Sequence, residues 1–273
     1  MTKLAIYEGD CLDVLAQLPA RSVDCVVCSP PYNLKINYTT YSDNMTDAAY
    51  CDFMYRVGAA LHRVLKPDGS WFLNIAGTPS KPALPFRVLN ILAGNLYRHQ
   101  NTIHWIKSIS IGSHSHGHFK PVNSERFLHS AHEYIFHLTK TGKVALRRLA
   151  IGVPYQDISN ATRWSHGHTR RCRGNTWFIP YPTVQRKSDK HNHPTIFPNK
   201  LPRWCIRLHG RRNAVVLDPF MGSGTTLIAA RRERVKLAIG IEIDKNYVAT
   251  AVSRIQQSGG KVDVRKVVSR TRK

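Results

Sequence analysis

Val215-Val216-Leu217-Asp218-Pro219-Phe220-Met221-Gly222-Ser223-Gly224-Thr225-Thr226 is an apolar run that feeds a glycine-rich turn and then a helical stretch. A strand delivering Gly-x-Gly to the start of a helix lets the backbone approach a ligand where a Cβ would collide. A dinucleotide site would carry a third glycine where Leu227 stands, and a phosphate loop would carry Gly-Lys after four intervening residues; both are absent. Twenty residues past Gly222, Glu242 ends the next apolar run, Ala238-Ile239-Gly240-Ile241-Glu242-Ile243-Asp244. A carboxylate there can accept both hydroxyl protons of a ribose. An adenosyl ligand without phosphates fits this pattern, and taken alone the glycines also fit an ordinary tight turn.

Outward from this stretch the texture is regular. Ala214 to Leu217 reads as a strand, Thr225 to Arg232 as a helix, Leu237 to Ile243 as a strand and Tyr247 to Gln257 as a helix, a βαβα unit. In the first third, Val23 to Cys28 is a strand ending in a double proline. Phe53 to Leu65 keeps helical spacing through Val57 and Leu61 and stops at Lys66-Pro67-Asp68-Gly69. Ser70 to Ile75 is another buried strand, and His104 to Lys107 closes a further one. Such alternation predicts an α/β fold with a parallel sheet wrapped by helices. At 273 residues the chain can bury one such core with a modest inserted lobe. The expected division is a catalytic domain from 1–107 and 176–260, a lobe at 108–175, and a basic tail at 261–273 that begins as a final strand.

Forty Lys and Arg against seventeen Asp and Glu give a formal charge of +23, a field that concentrates polyanions. A nucleic-acid partner is expected, although a basic ribosome-associated factor would share the charge. Residues 108–212 hold eighteen Lys and Arg against four acids, Glu125, Glu133, Asp157 and Asp189. Tyr155, Trp164, Trp177 and Tyr181 are interleaved with them, as in a lobe that faces DNA. No run of about 18 apolar residues exists, and Glu8 interrupts any apolar leader, so a soluble, cytoplasmic protein without membrane partners is expected. Six irregularly spaced cysteines read as reduced thiols. Cys25 and Cys28 form C-x-x-C, but they sit inside a buried strand and lack the second pair of a zinc ribbon. His114, His116, His118, His166, His168 and Cys172 could be drawn as metal ligands, and His191-Asn192-His193 spells a nuclease motif. Neither has the carboxylate partners a nuclease metal wants, so no metal is expected.

Ser29-Pro30-Pro31-Tyr32 follows the Val23–Cys28 strand, at the edge where α/β sheets bind ligands. Two prolines fix φ and remove two donors, so the loop presents carbonyl oxygens in a rigid array. An aromatic amine whose two N–H groups are accepted by Ser29 Oγ and the Pro30 carbonyl is pushed toward a pyramidal nitrogen able to attack a methyl group. Tyr32 can stack on an extruded base. A Pro-Pro turn that merely caps the strand has the same sequence. Carbon-5 methylation of cytosine is disfavoured, because no Pro-Cys dipeptide supplies the nucleophile.

Ser-Pro-Pro-Tyr, Asp-Pro-Phe-x-Gly-Ser-Gly-Thr-Thr, and His193-Pro194-Thr195-Ile196-Phe197-Pro198 together resemble the amino-methyltransferases of restriction–modification type. With the catalytic motif before the cofactor motif, the order looks like their β group, a permuted, Rossmann-like S-adenosylmethionine-dependent methyltransferase fold. The resemblance covers roughly 4–107 and 176–257. It implies S-adenosylmethionine as cofactor and double-stranded DNA as partner. It implies catalytic roles for Ser29, Pro30, Pro31 and Tyr32, and target recognition by 108–175. Asp10, after Gly9, would accept from the cofactor adenine; Phe220 would border the cofactor, Gly222 and Gly224 would line its methionine end beside Asp218, and Glu242 would hold the ribose. Adenine-methylating members commonly carry Asp in place of Ser29 and Lys in place of Phe197, so the resemblance favours cytosine N4 over adenine N6. An RNA-directed amino-methyltransferase and a non-catalytic nucleic-acid-binding module remain rival readings, and whether a cognate restriction endonuclease accompanies the chain is left open.

Overall fold

A computed structural model describes residues 2–33, 44–79, 81–117, 122–157, 159, 168–181 and 197–267. In chain order the elements are β1 (Lys3–Glu8), α1 (Cys11–Gln17), β2 (Val23–Cys28), α2 (Asp47–Val64), β3 (Leu65–Ile75), α3 (Leu84–Asn95) and β4 (Arg98–Ile106). The hairpin strands β5 (Ser108–Ile111) and β6 (His114–Gly117) follow, then β7 (His132–Thr139), a short 3-10 turn (Arg148–Ile151), β8 (Val153–Pro154), β9 (Arg170–Arg171) and β10 (Thr176–Phe178). The chain continues with α4 (Lys200–His209), β11 (Val215–Asp218), α5 (Thr225–Arg232), β12 (Leu237–Glu242), α6 (Lys245–Gln257) and β13 (Asp263–Lys266).

Among the described residues one sheet has nine strands in the order β10-β4-β7-β3-β2-β11-β12-β1-β13. Every pairing in it is parallel except those of β7, which runs antiparallel to both β3 and β4. Two buried clusters cover the faces. On the first, α1, α2 and α3 pack with Val14, Met54, Val57, Leu61, Val88 and Leu92, while α4, α5 and α6 cover the second with Leu201, Cys205, Leu227, Val248 and Ile255. In α2 the buried residues Tyr50, Met54, Val57, Leu61 and Val64 recur at steps of three and four, which draws one apolar stripe along a helix. Thr46 caps that helix by accepting from Ala49 N at 3.2 Å. Truncating a fully buried member such as Leu61 to Ala should cost about 2–5 kcal/mol.

The chain reverses direction across the sheet between β2 and β11. From β2 it steps to β3 on one side, and from β11 to β12 on the other, while the two strands pair directly through Val216–Cys25 and Leu217–Val26. A reversal of this kind leaves a crevice at the carboxyl ends of the strands, the place where open α/β sheets bind ligands.

Several sequence expectations need adjusting. Within 108–175 the strand-like stretch Glu133 to Leu138 is β7, which lies in the sheet between β4 and β3, so the segment is not wholly a lobe; outside the sheet stand the β5–β6 hairpin, the 122–131 connection and the β8–β9 pair. Trp177 is buried in β10, and Tyr181 stacks on the buried Trp105 with centroids 6.2 Å apart, so both aromatics serve the core and not an exposed stacking surface. The helix stops at Val64, as expected ahead of Lys66-Pro67-Asp68-Gly69, but those four residues do not form a separate connection. They lie within β3 as an irregularity, where the register jumps from Val23–Leu65 to Cys25–Ser70. The 261–273 tail contributes β13, paired with β1. Cys25 and Cys28 belong to different clusters, on opposite faces, as an odd spacing in a strand requires. They cannot act as one pair. Trp164, His118, His166, the stretch 191–196 and residues 268–273 lie outside the described residues. No helix of the described residues is long and apolar enough to cross a membrane.

Candidate active site

The loops after β1, β2, β11 and β12 enclose a cleft of about 970 Å³, open to solvent. Gly9, Asp10 and Cys11 come from the first loop, Ser29, Pro30 and Pro31 from the second, Pro219 to Ser223 with Thr225 from the third, and Ile241 to Asp244 from the fourth. Phe53, Tyr247 and Phe197 complete the wall. Of the ten residues singled out from sequence, Tyr32, Asp218 and Gly224 are the three that do not line the cleft. They stand one layer behind it.

Adjacent strand ends explain why residues so distant in sequence meet. β1 and β12 pair in parallel with Glu8 opposite Glu242, and Gly9 N–H donates to the Glu242 carbonyl at 2.9 Å. Asp10 therefore sits beside Glu242. Its side chain also caps α1, Oδ1 accepting from Leu12 N at 2.8 Å, a structural duty the sequence reading did not name. Glu242 is likewise double-purposed: Oε2 accepts from Gly222 N and Oε1 from Asp244 N, both at 2.9 Å. Burial raises its carboxyl pKa, and those backbone donors oppose the rise.

The glycine turn is organised from behind by Asp218. Oδ1 accepts from Phe220 N at 3.0 Å and Oδ2 from Thr226 Oγ1 at 2.6 Å. Complete burial pushes this carboxyl up to about 7. Gly222 and Gly224 adopt left-handed φ of 50° and 80°, which side chains rarely tolerate, and a Cβ on Gly224 would lie 3.0 Å from Ala251 Cβ. Arg254 reaches under the turn from α6, Nη1 donating to Ser223 O and Oγ. Among the described residues, no Lys or Arg lines the cleft, as phosphates would demand. Two carboxylates on adjacent strand ends, apolar walls from Phe220 and Phe53, and a backbone open at Gly222 fit an uncharged nucleoside.

Across the cleft, the Ser-Pro-Pro-Tyr loop rests on a polar network that local spacing does not reveal. Tyr32 Oη lies 2.6 Å from Ser29 Oγ, 3.0 Å from Glu133 Oε2 and 2.6 Å from Asn74 Nδ2. Asn74 Nδ2 also donates to Glu133 Oε2 at 2.7 Å, and Lys107 pairs with Glu133 Oε1 at 3.3 Å. Asn74 comes from β3, Lys107 from the end of β4 and Glu133 from the start of β7; the antiparallel insertion of β7 brings all three to the site edge. Tyr50 Oη donates to the Pro31 carbonyl at 2.7 Å, which fixes the second proline. Burial, then the Glu133 charge, raises the Tyr32 phenol well above its ordinary value, so it stays protonated.

Donor and acceptor counting gives this network a direction. A carboxylate and a backbone carbonyl only accept, so the Tyr32 hydroxyl donates toward Glu133 Oε2 and the Asn74 carbonyl, 3.2 Å away, which share its one proton; Tyr32 then accepts from Asn74 Nδ2 and from the Ser29 hydroxyl. With its proton turned toward Tyr32, Ser29 presents lone pairs to the cleft. Asn74 Nδ2 lies 3.5 Å from Ser29 Oγ with both of its hydrogens placed elsewhere.

A family model described as DNA methylase matches residues 23–253. The DNA adenine methyltransferase YhdJ of Escherichia coli (strain K12) is 28% identical over 257 residues, spanning 92% of this chain and 82% of that protein. The Type II methyltransferase M.XycI of Xanthomonas campestris pv. cyanopsidis is 27% identical over 292 residues, 94% of this chain and 89% of its own. Among solved structures, PvuII DNA methyltransferase (cytosine-N4-specific) superposes with a TM-score of 0.69 at 22% identity, covering 97% of this chain and 95% of that one. TTHA0409 of Thermus thermophilus, complexed with S-adenosyl-L-methionine, gives 0.66 at 25% identity and covers 98% and 100%.

Proposed function

This chain belongs to the DNA methylase family, the amino-methyltransferases of restriction–modification type, and we propose that it moves the methyl group of S-adenosylmethionine to N4 of cytosine in duplex DNA. The observation that carries the reading is the direction of the bonds at Ser29. A hydroxyl whose own proton is committed to Tyr32 is an acceptor at the cleft wall, and the target amine offers two N–H donors. Accepting one of them matters more as the nitrogen becomes positive, so the contact favours the transition state over the ground state. S-adenosylmethionine, when bound, supplies the methyl group; Glu242 and Asp10 would hold its ribose and adenine, with Phe220 and Gly222 beside them.

Cytosine is favoured over adenine by the resemblance, through Ser29 and Phe197, which both line the cleft. The base must leave the helix to arrive there. Target reading is assigned to the parts of 108–175 outside the sheet, above all the exposed β5–β6 hairpin, which leaves the site-side end of β4. A cognate restriction endonuclease would share the DNA site without a stable complex. Nucleoside mass spectrometry of DNA incubated with the enzyme and cofactor tests the proposal. N4-methylcytosine is expected; N6-methyladenine would leave the cleft assignments standing and overturn the choice of base.

A further inference from the structure

We propose that Glu133 is the final proton acceptor of methyl transfer, reached from the substrate amine through Ser29 Oγ and Tyr32 Oη. The inference rests on the reading above, in which Ser29 accepts the amine. Once the nitrogen lone pair has formed its bond to the methyl carbon and the sulfur has left as a neutral thioether, the nitrogen carries a positive charge and one proton too many. A serine hydroxyl cannot keep that proton in addition to its own, whereas a carboxylate oxygen can accept it.

The distances supply a continuous path of 2.6 Å from Ser29 Oγ to Tyr32 Oη and 3.0 Å from Tyr32 Oη to Glu133 Oε2. Ser29 takes the proton from the amine as it gives its own to Tyr32, and Tyr32 gives its own to Glu133. Both hydroxyls end neutral, Glu133 ends as a carboxylic acid, and the product amine is neutral. Glu133 is the carboxylate bonded to Tyr32. Asp10 caps α1, Glu242 holds the glycine turn and Asp218 lies behind it. Glu133 faces Lys107 at the end of β4, Asn74 on β3 and Tyr32, with His132 next to it in β7 and His104 on the paired strand. The Lys107 pair holds the carboxylate in place, and its side chain and that of Glu133 are only 17% and 13% exposed. The acceptor is thus sheltered from bulk water.

The experiment compares wild type, Glu133→Gln, Tyr32→Phe and the double variant. Readouts are single-turnover methylation from pH 5 to 9, S-adenosylhomocysteine affinity by calorimetry, and the melting temperature of the free protein. Glu133→Gln should lose on the order of 10²-fold in rate, the size of a general-base contribution, with cofactor affinity unchanged. The wild-type rate should fall toward acid pH, and Glu133→Gln should lose that fall. Tyr32→Phe should be slowed to a similar degree, and the double variant should be no slower than the slower single one, since both cut one path. Additive losses, or a Glu133→Gln enzyme that keeps the wild-type rate or its acid limb, would overturn the proposal. Should Glu133→Gln fail to melt cooperatively, Tyr32→Phe decides alone, and a wild-type rate in it overturns the relay. Wild-type enzyme that yields no methylated exocyclic amine removes the underlying reading and the relay with it; wild type that does, beside an equally fast Glu133→Gln, removes the relay only.

Discussion

The Glu242 carboxylate accepts the backbone N–H of Gly222 at 2.9 Å, so the residue proposed to hold a ribose also ties the glycine turn to the end of β12. Its other oxygen accepts from Asp244 N. Glu242→Ala should therefore weaken S-adenosylhomocysteine binding both by losing a ligand contact and by freeing the turn. Charged hydrogen bonds of this type contribute about 1.5–3 kcal/mol each, so a loss of about tenfold to a hundredfold is expected in calorimetry. Glu242→Gln, which keeps one acceptor, should lose less. Equal affinity in the alanine variant would take Glu242 out of the site.

Ser29→Ala separates binding from chemistry. The side chain stands across the cleft from Asp10 and Glu242 and touches the loop network rather than the glycine turn. Removing it should lower kcat on the order of 10²-fold while leaving cofactor affinity within about twofold, the pattern of an interaction made in the transition state. A rise in KM for DNA at unchanged kcat would instead make Ser29 a binding residue.

The parts of this site that were legible in sequence are those set by one strand and the turn after it. Val23–Cys28 and Thr225–Arg232 read to the residue because apolar runs are bounded by Pro-Pro and by Gly-x-Gly. The start of α2 was missed: only Tyr50 is buried before Phe53, and the helix opens instead on a threonine cap. Asn74, Lys107 and Glu133 carry no local signal. They meet because β7 inserts antiparallel between β3 and β4, and strand order is a property of the whole sheet that no periodicity encodes. For the same reason Glu133 stood in the sequence as one of four acids in a basic stretch.

Arg170, Arg171 and Arg173 look alike in sequence and differ in the fold. Arg170 Nη2 donates to the Gly152 carbonyl at 2.7 Å, and Arg173 donates to the Ile151 carbonyl at 2.8 Å while lying 4.2 Å over the Trp204 ring. Replacing those two should lower the melting temperature. Arg171 is exposed on β9, so Arg171→Ala should leave stability within about 0.5 kcal/mol. If it meets a phosphate, the log–log slope of DNA affinity against salt should fall by about one. An unchanged slope would place β9 off the DNA.

Far from the cleft, His137 Nε2 and His209 Nδ1 flank the buried Ser70 hydroxyl at 3.0 and 3.1 Å. Burial, helped by the neighbouring imidazole, lowers His137 to about 3, and burial lowers His209 to about 4, from an ordinary 6.5. Both are neutral in the fold and charge more readily in the unfolded chain. Their contribution is complete above about pH 6.5 and declines as pH falls toward the folded values, by up to about 1.4 kcal/mol per pH unit for each. Asp218, raised to about 7, works in the opposite sense, its contribution declining as pH rises from 3.8 to about 7. Urea unfolding at several pH values should show the histidine-driven loss flattened in His209→Gln and retained in wild type. Parallel curves for the two would assign the acid limb elsewhere.

An exocyclic amine attacks the methyl group directly, so no covalent bond between enzyme and base should form, and bound geometry supplies most of the acceleration. Attack at carbon 5 would need a thiolate. Cys11 is the cysteine that lines the cleft among the described residues, but its thiol is buried and burial beside Asp10 raises its pKa far above the ordinary value, which keeps it protonated. Cys28 precedes the Ser-Pro-Pro-Tyr loop, yet it too is buried and protonated, its sulfur accepting from Trp71 Nε1 at 3.3 Å. Cys11→Ala and Cys28→Ala should both keep turnover within about threefold of wild type, with stability losses of about 1 kcal/mol from the small cavities. DNA carrying 5-fluorocytosine, which traps enzymes that attack carbon 6 through a cysteine, should give no adduct that survives a denaturing gel. A trapped adduct that vanishes in either cysteine variant, or 5-methylcytosine among the product nucleosides, would exclude direct transfer to the amine and with it the role assigned to Ser29.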